Sequence, residues 1–166
     1  MNSSRQIKIN LAEQTLSLLD GAAVICSYSI SSALNGPGET MGSECTPRGL
    51  HRIKIKVGAG QPENAVFVGR RATGEIYSSE LAAAHPGRDW VLCRILWLTG
   101  EESGRNRGGR VDSLRRYIYI HGCPDSEPMG RPLSHGCIRM RNRDLVTLFE
   151  QVEAGMRVDI QEEAGG

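Results

Sequence analysis

No stretch of this sequence supplies the roughly 20 apolar residues that a membrane-spanning helix requires, and the longest early apolar run is only Ala22 to Cys26. The opening MNSSRQIKINLAEQ breaks each apolar stretch before a signal-peptide core of roughly 7–15 residues can form. A complete chain of this kind is expected to stay in the cytosol. An excess of charge of one sign is missing as well. Twenty basic and 19 acidic side chains leave a formal net charge of +1, so the totals carry no footprint of a nucleic-acid or membrane-surface partner. There is no Gly-rich phosphate loop, no His-Glu-x-x-His helix and no Gly-x-Ser-x-Gly elbow, and neither a cofactor nor a metal is expected. Five cysteines, Cys26, Cys45, Cys93, Cys123 and Cys137, form an odd set without a secretory context, which argues against a disulfide framework and leaves at least one for work as a thiol.

What is present is punctuation. Twenty glycines and seven prolines separate short segments rich in Ile, Val, Leu and Tyr, the pattern of a mostly β domain. Ile7 to Leu11, Leu16 to Leu18 and Ala23 to Ile30 read as a meander, with a hairpin signal at Asp20-Gly21. Ser31 to Pro47 reads as loop, Ile53 to Val57 as a half-exposed strand, Val66 to Val68 as another, and Trp90 to Leu98 as a central strand buried on both faces. Glu80 to Ala84 fits one helical turn. The arginine-rich stretch Gly100 to Arg116 reads as a long mobile loop, either solvated or a lid whose guanidinium groups fork onto carboxylates. Tyr117 to Ile120 reads as a strand delivering His121. One main C-terminal helix follows, capped by Asn142, carrying Leu145, Leu148, Phe149 and Val152 on one face, and ending by Gly155. Val158 and Ile160 mark a last strand. Residues 1–166 are expected to form one domain, with a core over about residues 5–161 and a loose Gly-rich tail.

Between Ile120 and Met140 the chain reads IHGCPDSEPMGRPLSHGCIRM, and from His121 to Cys137 it places two histidines and two cysteines. A thiol attacks a carbonyl as thiolate, and an ordinary cysteine with a pKa of about 8.5 is mostly protonated at neutral pH. An imidazole within reach removes that proton and can return it to a leaving amine. This assigns Cys137 as nucleophile, His121 as its base in a thiolate–imidazolium pair, and the Gly122 carbonyl as orienter of the ring. Gly136 lets backbone N–H groups near Cys137 face a developing oxyanion. Arg139 supports the loop or grips substrate. Two rival readings use the same residues: a zinc site from His121, Cys123, His135 and Cys137, and a redox pair formed by Cys123 and Cys137. His51 and His85 stand alone and read as surface or packing.

The pattern of a strand histidine, about a dozen residues and then Ser-His-Gly-Cys-Ile-Arg resembles the L,D-transpeptidase (YkuD-type) family. Ile7 to Ser29, Thr46-Pro47-Arg48-Gly49 and the strand after it, Asp144, Leu148 and Gly155 to Ile160 extend the resemblance over most of the chain. Cys123 departs from it, since the family more often has a small residue such as threonine there. The resemblance implies a β-sandwich-like fold with a cleft over the sheet. It carries family roles to Cys137, His121, Gly136 and Ser134, with Ser134 and Arg139 contacting substrate and His135 contributing to the pocket. It implies a murein tetrapeptide or its precursor as partner, an acyl-cysteine formed with loss of terminal D-alanine, and sensitivity to carbapenems. From the expected compartment, water is the favoured acceptor, which makes an L,D-carboxypeptidase of murein recycling; an amine acceptor would make a cross-linking L,D-transpeptidase.

Overall fold

The computed structural model describes residues 4–163. The start of the chain and the end of the expected Gly-rich tail, Ala164 to Gly166, lie outside the described residues. The N-terminal meander consists of β1 (Arg5–Asn10), β2 (Thr15–Asp20) and β3 (Ala23–Ser31). Alternation drives it: Ile7, Ile9, Leu16 and Leu18 are buried while their chain neighbours face outward. After the loop come β4 (Gly49–Val57), β5 (Ala65–Val68), β6 (Arg71–Ile76), the single-turn α1 (Ser79–Ala84) and β7 (Val91–Gly100). The chain closes with β8 (Tyr119–Cys123), β9 (Ile138–Arg141), α2 (Asn142–Gln151) and β10 (Arg157–Gln161).

The sheet order is β4-β10-β1-β2-β3-β9-β8-β7-β5-β6, and β4 also pairs with β7, so the sheet returns on itself as a barrel-like sandwich. The fold is mostly β with one main helix, as the composition implies. Helix α2 lays Leu145, Leu148 and Phe149 onto the sheet, and Val152 just past its end is buried with them. Among the described residues no helix is long and apolar enough to cross a membrane.

Three expectations need correction. Asn142 is not the cap of α2. Strand β9 runs straight into the helix, so Arg141 occupies the cap position and Asn142 is the first helical residue, its buried amide donating to Asn64 Oδ1 at 3.1 Å. The arginine-rich stretch is anchored rather than mobile, while Arg105, Arg107, Arg110 and Arg115 are exposed as the solvated reading expects. Asn106 is fully buried and donates to the Arg48 and Leu50 carbonyls at 3.0 and 3.1 Å. Arg116 donates to Gly38 O, Glu39 O, Ser43 Oγ and Cys45 O, which staples the stretch to the Ser31 to Pro47 loop. Finally, Tyr117 lies outside β8, with φ at 57°, and His121 sits in the middle of that strand.

His51 belongs to this packing. It is fully buried, its Nδ1 donating to Gly49 O at 3.0 Å and its Nε2 accepting from Ser113 Oγ at 2.8 Å. Burial lowers its pKa to about 4. The unfolded chain, where the imidazole keeps its ordinary value of 6.5, therefore binds more protons between those two values, and stability falls as pH drops through that window. The full shift is worth up to about 3 kcal/mol. Urea titrations at pH 7 and pH 4.5 are expected to show this loss, and His51→Gln is expected to flatten it; an unchanged slope in the variant would place the acid sensitivity elsewhere.

Candidate active site

Strands β8 and β9 run parallel, with Ile120 opposite Ile138 and His121 opposite Arg139. Ile120, Ile138 and Met140 enter the main core, so the alternate positions His121, Cys123 and Arg139 share the other face. One step before the first pair, Cys137 stands beside Tyr119, and the Tyr119 N–H reaches its sulfur at 3.3 Å. Two residues along neighbouring strands then separate Cys137 from His121, about 8 Å between Cα atoms, on the same face of the sheet. Gly122 carries a tight approach between them and the helix: a Cβ there would stand 2.7 Å from the Leu92 carbonyl of β7, against backbone that cannot move aside cheaply.

The His121 ring is buried, and its Nδ1 lies 2.6 Å from Gly122 O. A carbonyl only accepts, so Nδ1 carries the hydrogen and Nε2 keeps a lone pair. Burial, which outweighs the carbonyl contact, holds the imidazole pKa below its ordinary value. Cys137 Sγ donates to Tyr117 O at 3.2 Å. Among the described residues no hydrogen bond joins it to His121. Burial pushes the thiol up to about 12, against the Tyr119 N–H and the cations Arg116 and Arg139, which lower it. Burial thus disfavours the charged forms of both groups, against the ion pair expected from the sequence. Alkylation of Cys137 by iodoacetamide is expected to be slow at pH 7 and to climb past pH 9 without a plateau; a plateau below pH 7 would instead reveal a resting thiolate.

The turn before Cys137 is built by hydroxyls. Ser134 Oγ donates to Cys137 O at 2.6 Å and accepts from Gly136 N–H at 3.2 Å. Thr46 Oγ1 donates to Gly136 O at 2.8 Å, and Gly136 has φ 133°, a conformation that side chains rarely adopt. Ser134 is buried and its hydroxyl is committed to this turn, which differs from the substrate contact expected of it. His135 turns outward, its side chain 63% exposed and its Nδ1 3.6 Å from Asp89 Oδ2. Arg139 is nearly buried, with Nη2 at 3.4 Å from Asp89 Oδ1 and Nη1 at 3.8 Å from Glu127. Asp89, Glu127, His135 and Arg139 line a cleft of about 400 Å³ together with Tyr77, Arg88, Trp90 and Cys123; Cys137 and His121 are not among its lining residues.

Asp89 was invisible to motif reading, because it lies far from the His-to-Cys segment, and no sequence pattern announced that the Tyr117 carbonyl would take the Cys137 thiol. The rival readings fare differently from the Cys–His one. Cys123 and Cys137 are four positions apart along adjacent strands, about 13 Å, beyond the roughly 7 Å limit for bridging Cα atoms. Cys123 is buried, its thiol on Met140 O at 3.4 Å and raised to about 12 by burial. Among the described residues no three His, Cys, Asp or Glu side chains converge as a metal set.

The barrel-like β-sandwich is shared with solved L,D-transpeptidases. L,D-transpeptidase 3 from Mycobacterium tuberculosis, in complex with a faropenem-derived adduct, superimposes with a TM-score of 0.58 at 16% identity over 96% of this chain and 60% of that one. The Enterococcus faecium L,D-transpeptidase C442S mutant does so with 0.57 at 17% identity over 95% and 50%. The sequence matches the YkuD L,D-transpeptidase catalytic domain over residues 4–160, and the chain belongs to that family. It is 44% identical over 50 residues to the probable L,D-transpeptidase YbiS of Escherichia coli (strain K12), covering 30% of this chain and 16% of that protein. To the putative L,D-transpeptidase YkuD of Bacillus subtilis (strain 168) it is 41% identical over 61 residues, 34% of this chain and 37% of that protein. The matched segments thus span well under half of these curated relatives.

Proposed function

We propose that the chain catalyses cysteine-dependent acyl transfer on peptidoglycan stem peptides. The observation that carries this reading is one shared sheet face, on which Cys137 stands two residues from a His121 whose Nδ1–H is locked on Gly122 O. Because that hydrogen bond fixes the tautomer, Nε2 is the nitrogen available as a base. As substrate enters, Nε2 takes the thiol proton while sulfur attacks the carbonyl carbon joining the L-centre of the third stem residue to D-alanine. The Cys137 N–H meets the oxyanion, since the Ser134 and Gly136 N–H groups of the turn already donate to Ser32 O and Ser134 Oγ. The tetrahedral adduct collapses, the C–N bond breaks, the imidazolium returns its proton to the D-alanine amine, and a thioester remains on Cys137. Ser134 and Gly136 act here by shaping the turn, and Arg139 by holding Asp89 beside the cleft.

We further propose water as the acceptor, which makes the reaction an L,D-carboxypeptidase step. The preference for water rests on the expected compartment, and Asp89 and Glu127, the acidic groups of the neighbouring cleft, face Arg139 and His135 at 3.4 to 3.8 Å. The test is incubation with diaminopimelate- and lysine-containing tetrapeptides, with and without a second stem, followed by mass spectrometry. Loss of one D-alanine alone is expected. A cross-linked product would transfer the assignment to the transpeptidase, and no product from either peptide would overturn the acyl-transfer reading.

A further inference from the structure

The side of Cys137 away from the cleft is aromatic. Cys137 and Trp97 both pack on the small cluster of Ala65, Phe67, Ile95 and Tyr119; the Trp97 and Tyr119 rings meet edge to face at 5.9 Å, and Tyr117 lies 6.0 Å from Trp97 with its side chain largely in solvent. One residue covers this floor. Val68 pairs with Arg71 across the β5–β6 turn, with Gly69 and Arg70 between them at φ 56° and 66°. Two left-handed residues make a type I′ turn, where asparagine or glycine is the usual occupant. Arginine in that conformation is uncommon, and here it delivers a guanidinium onto the floor. Its Cζ sits 4.7 Å from the Trp97 ring centroid and 5.0 Å from that of Tyr117, and its Nη1 donates to Tyr119 Oη at 2.9 Å. Tyr119 therefore holds both groups, the Cys137 sulfur on its N–H and Arg70 on its hydroxyl.

Arg70 is also uncommitted where its neighbours are not. Among the described residues the ion pairs engage Arg48, Arg52, Arg88, Arg105 and Arg139, but not Arg70. Arg116 and Arg139, the cations whose charge reaches Cys137, are engaged by four acceptors of the Gly38 to Cys45 loop and by Asp89 and Glu127 respectively. Stacking fixes a guanidinium by its faces and leaves its N–H edges free for a planar anion, which it grips with two parallel hydrogen bonds.

We propose that Arg70, poised on the Trp97–Tyr117–Tyr119 floor on the sheet face that carries Cys137, is a specificity-determining residue that binds the free α-carboxylate of the leaving amino acid. The inference rests on the acyl-transfer reading. In that reaction the leaving nitrogen and the carboxylate share one carbon, so a group that reads the carboxylate must stand just beyond the sulfur on the leaving side. The aromatic floor beneath supplies an apolar rest for the short side chain of that residue. A substrate whose terminus is amidated, or extended by a further residue, presents no anion at this point and is handled poorly.

The test measures kcat/KM for a stem tetrapeptide and for the same peptide ending in a carboxamide, with the wild-type chain, Arg70→Asn and Arg70→Lys. Asparagine suits the left-handed turn, so the hairpin keeps its shape while the cation is lost. The wild type is expected to favour the free acid by about 10- to 100-fold, the range of a hydrogen bond to a charged group. Arg70→Asn is expected to bring the two peptides to near parity, mainly through KM for the acid, and Arg70→Lys to give an intermediate preference. A wild-type ratio near one, or a preference that survives in Arg70→Asn, overturns the assignment while leaving acyl transfer intact. No turnover of either peptide by the wild type overturns the acyl-transfer reading, and the role of Arg70 falls with it.

Discussion

Cys137→Ala is expected to lower kcat/KM for a stem tetrapeptide by roughly 10,000-fold or more, the scale on which losing a covalent nucleophile is felt. The fold is expected to survive, because Cys137 lies on the half-buried face of the sheet and the turn before it is held by Ser134 and Thr46 rather than by the thiol. Cys45, Cys93 and Cys123 are poorly placed to substitute, and Cys26 lies on β3 with its sulfur toward Gln151 Oε1. Cys93 and Cys123 are buried, with both thiols raised to about 12 by burial, and Cys123 lies four ladder positions away. Cys45 donates its thiol to carbonyls of its own loop. The matched control is Cys123→Ser, expected to keep most activity. Substantial turnover by Cys137→Ala with a normal urea midpoint would mean that another nucleophile operates.

His121→Ala is expected to cost about 100- to 10,000-fold in kcat, the range for a positioned general base, and to change the pH profile in kind. In the wild type, burial keeps the imidazole neutral, so kcat/KM is expected to hold as pH falls through 6.5, the ordinary histidine value, and to decline only below it. The sign follows from the lowered pKa, since a base that protonates late stays competent longer in acid. Without the imidazole, the residual rate depends on the thiolate fraction. With the thiol at about 12, that rate is expected to rise about tenfold per pH unit across the alkaline range. A variant that merely lost structural support would keep the wild-type profile at lower amplitude.

The site was legible where chemistry is local. The Ser-His-Gly-Cys turn and the strand histidine fall in one segment, and a two-residue alternation places His121, Arg139 and Cys137 on one face once β8 and β9 pair. The meander, the helix face and the last strand were legible for the same reason, because alternation and helical spacing are properties of single segments. What escaped depends on partners distant in sequence. The arginine-rich stretch looks free until Asn106 is seen between the Arg48 and Leu50 carbonyls. Asn142 looks like a cap until Asn64 accepts from its amide. Strand β6 is short, exposed and carries Gly74, and has no apolar alternation to announce it. Asp89 and Arg70 reach this face only through the pairing of β5 with β7 and of β7 with β8. The bias of the pair toward its neutral forms escaped too, since it comes from burial of both groups, not from their spacing.

The account stands or falls on a thioester at Cys137. The most direct measurement is rapid mixing of the purified chain with a stem tetrapeptide, acid quench within the first turnover, and intact-mass analysis followed by peptide mapping. The account predicts a mass gain equal to the peptide minus D-alanine, located on Cys137 and absent from Cys137→Ala. D-alanine release without any covalent adduct, or an adduct on another residue, would contradict it.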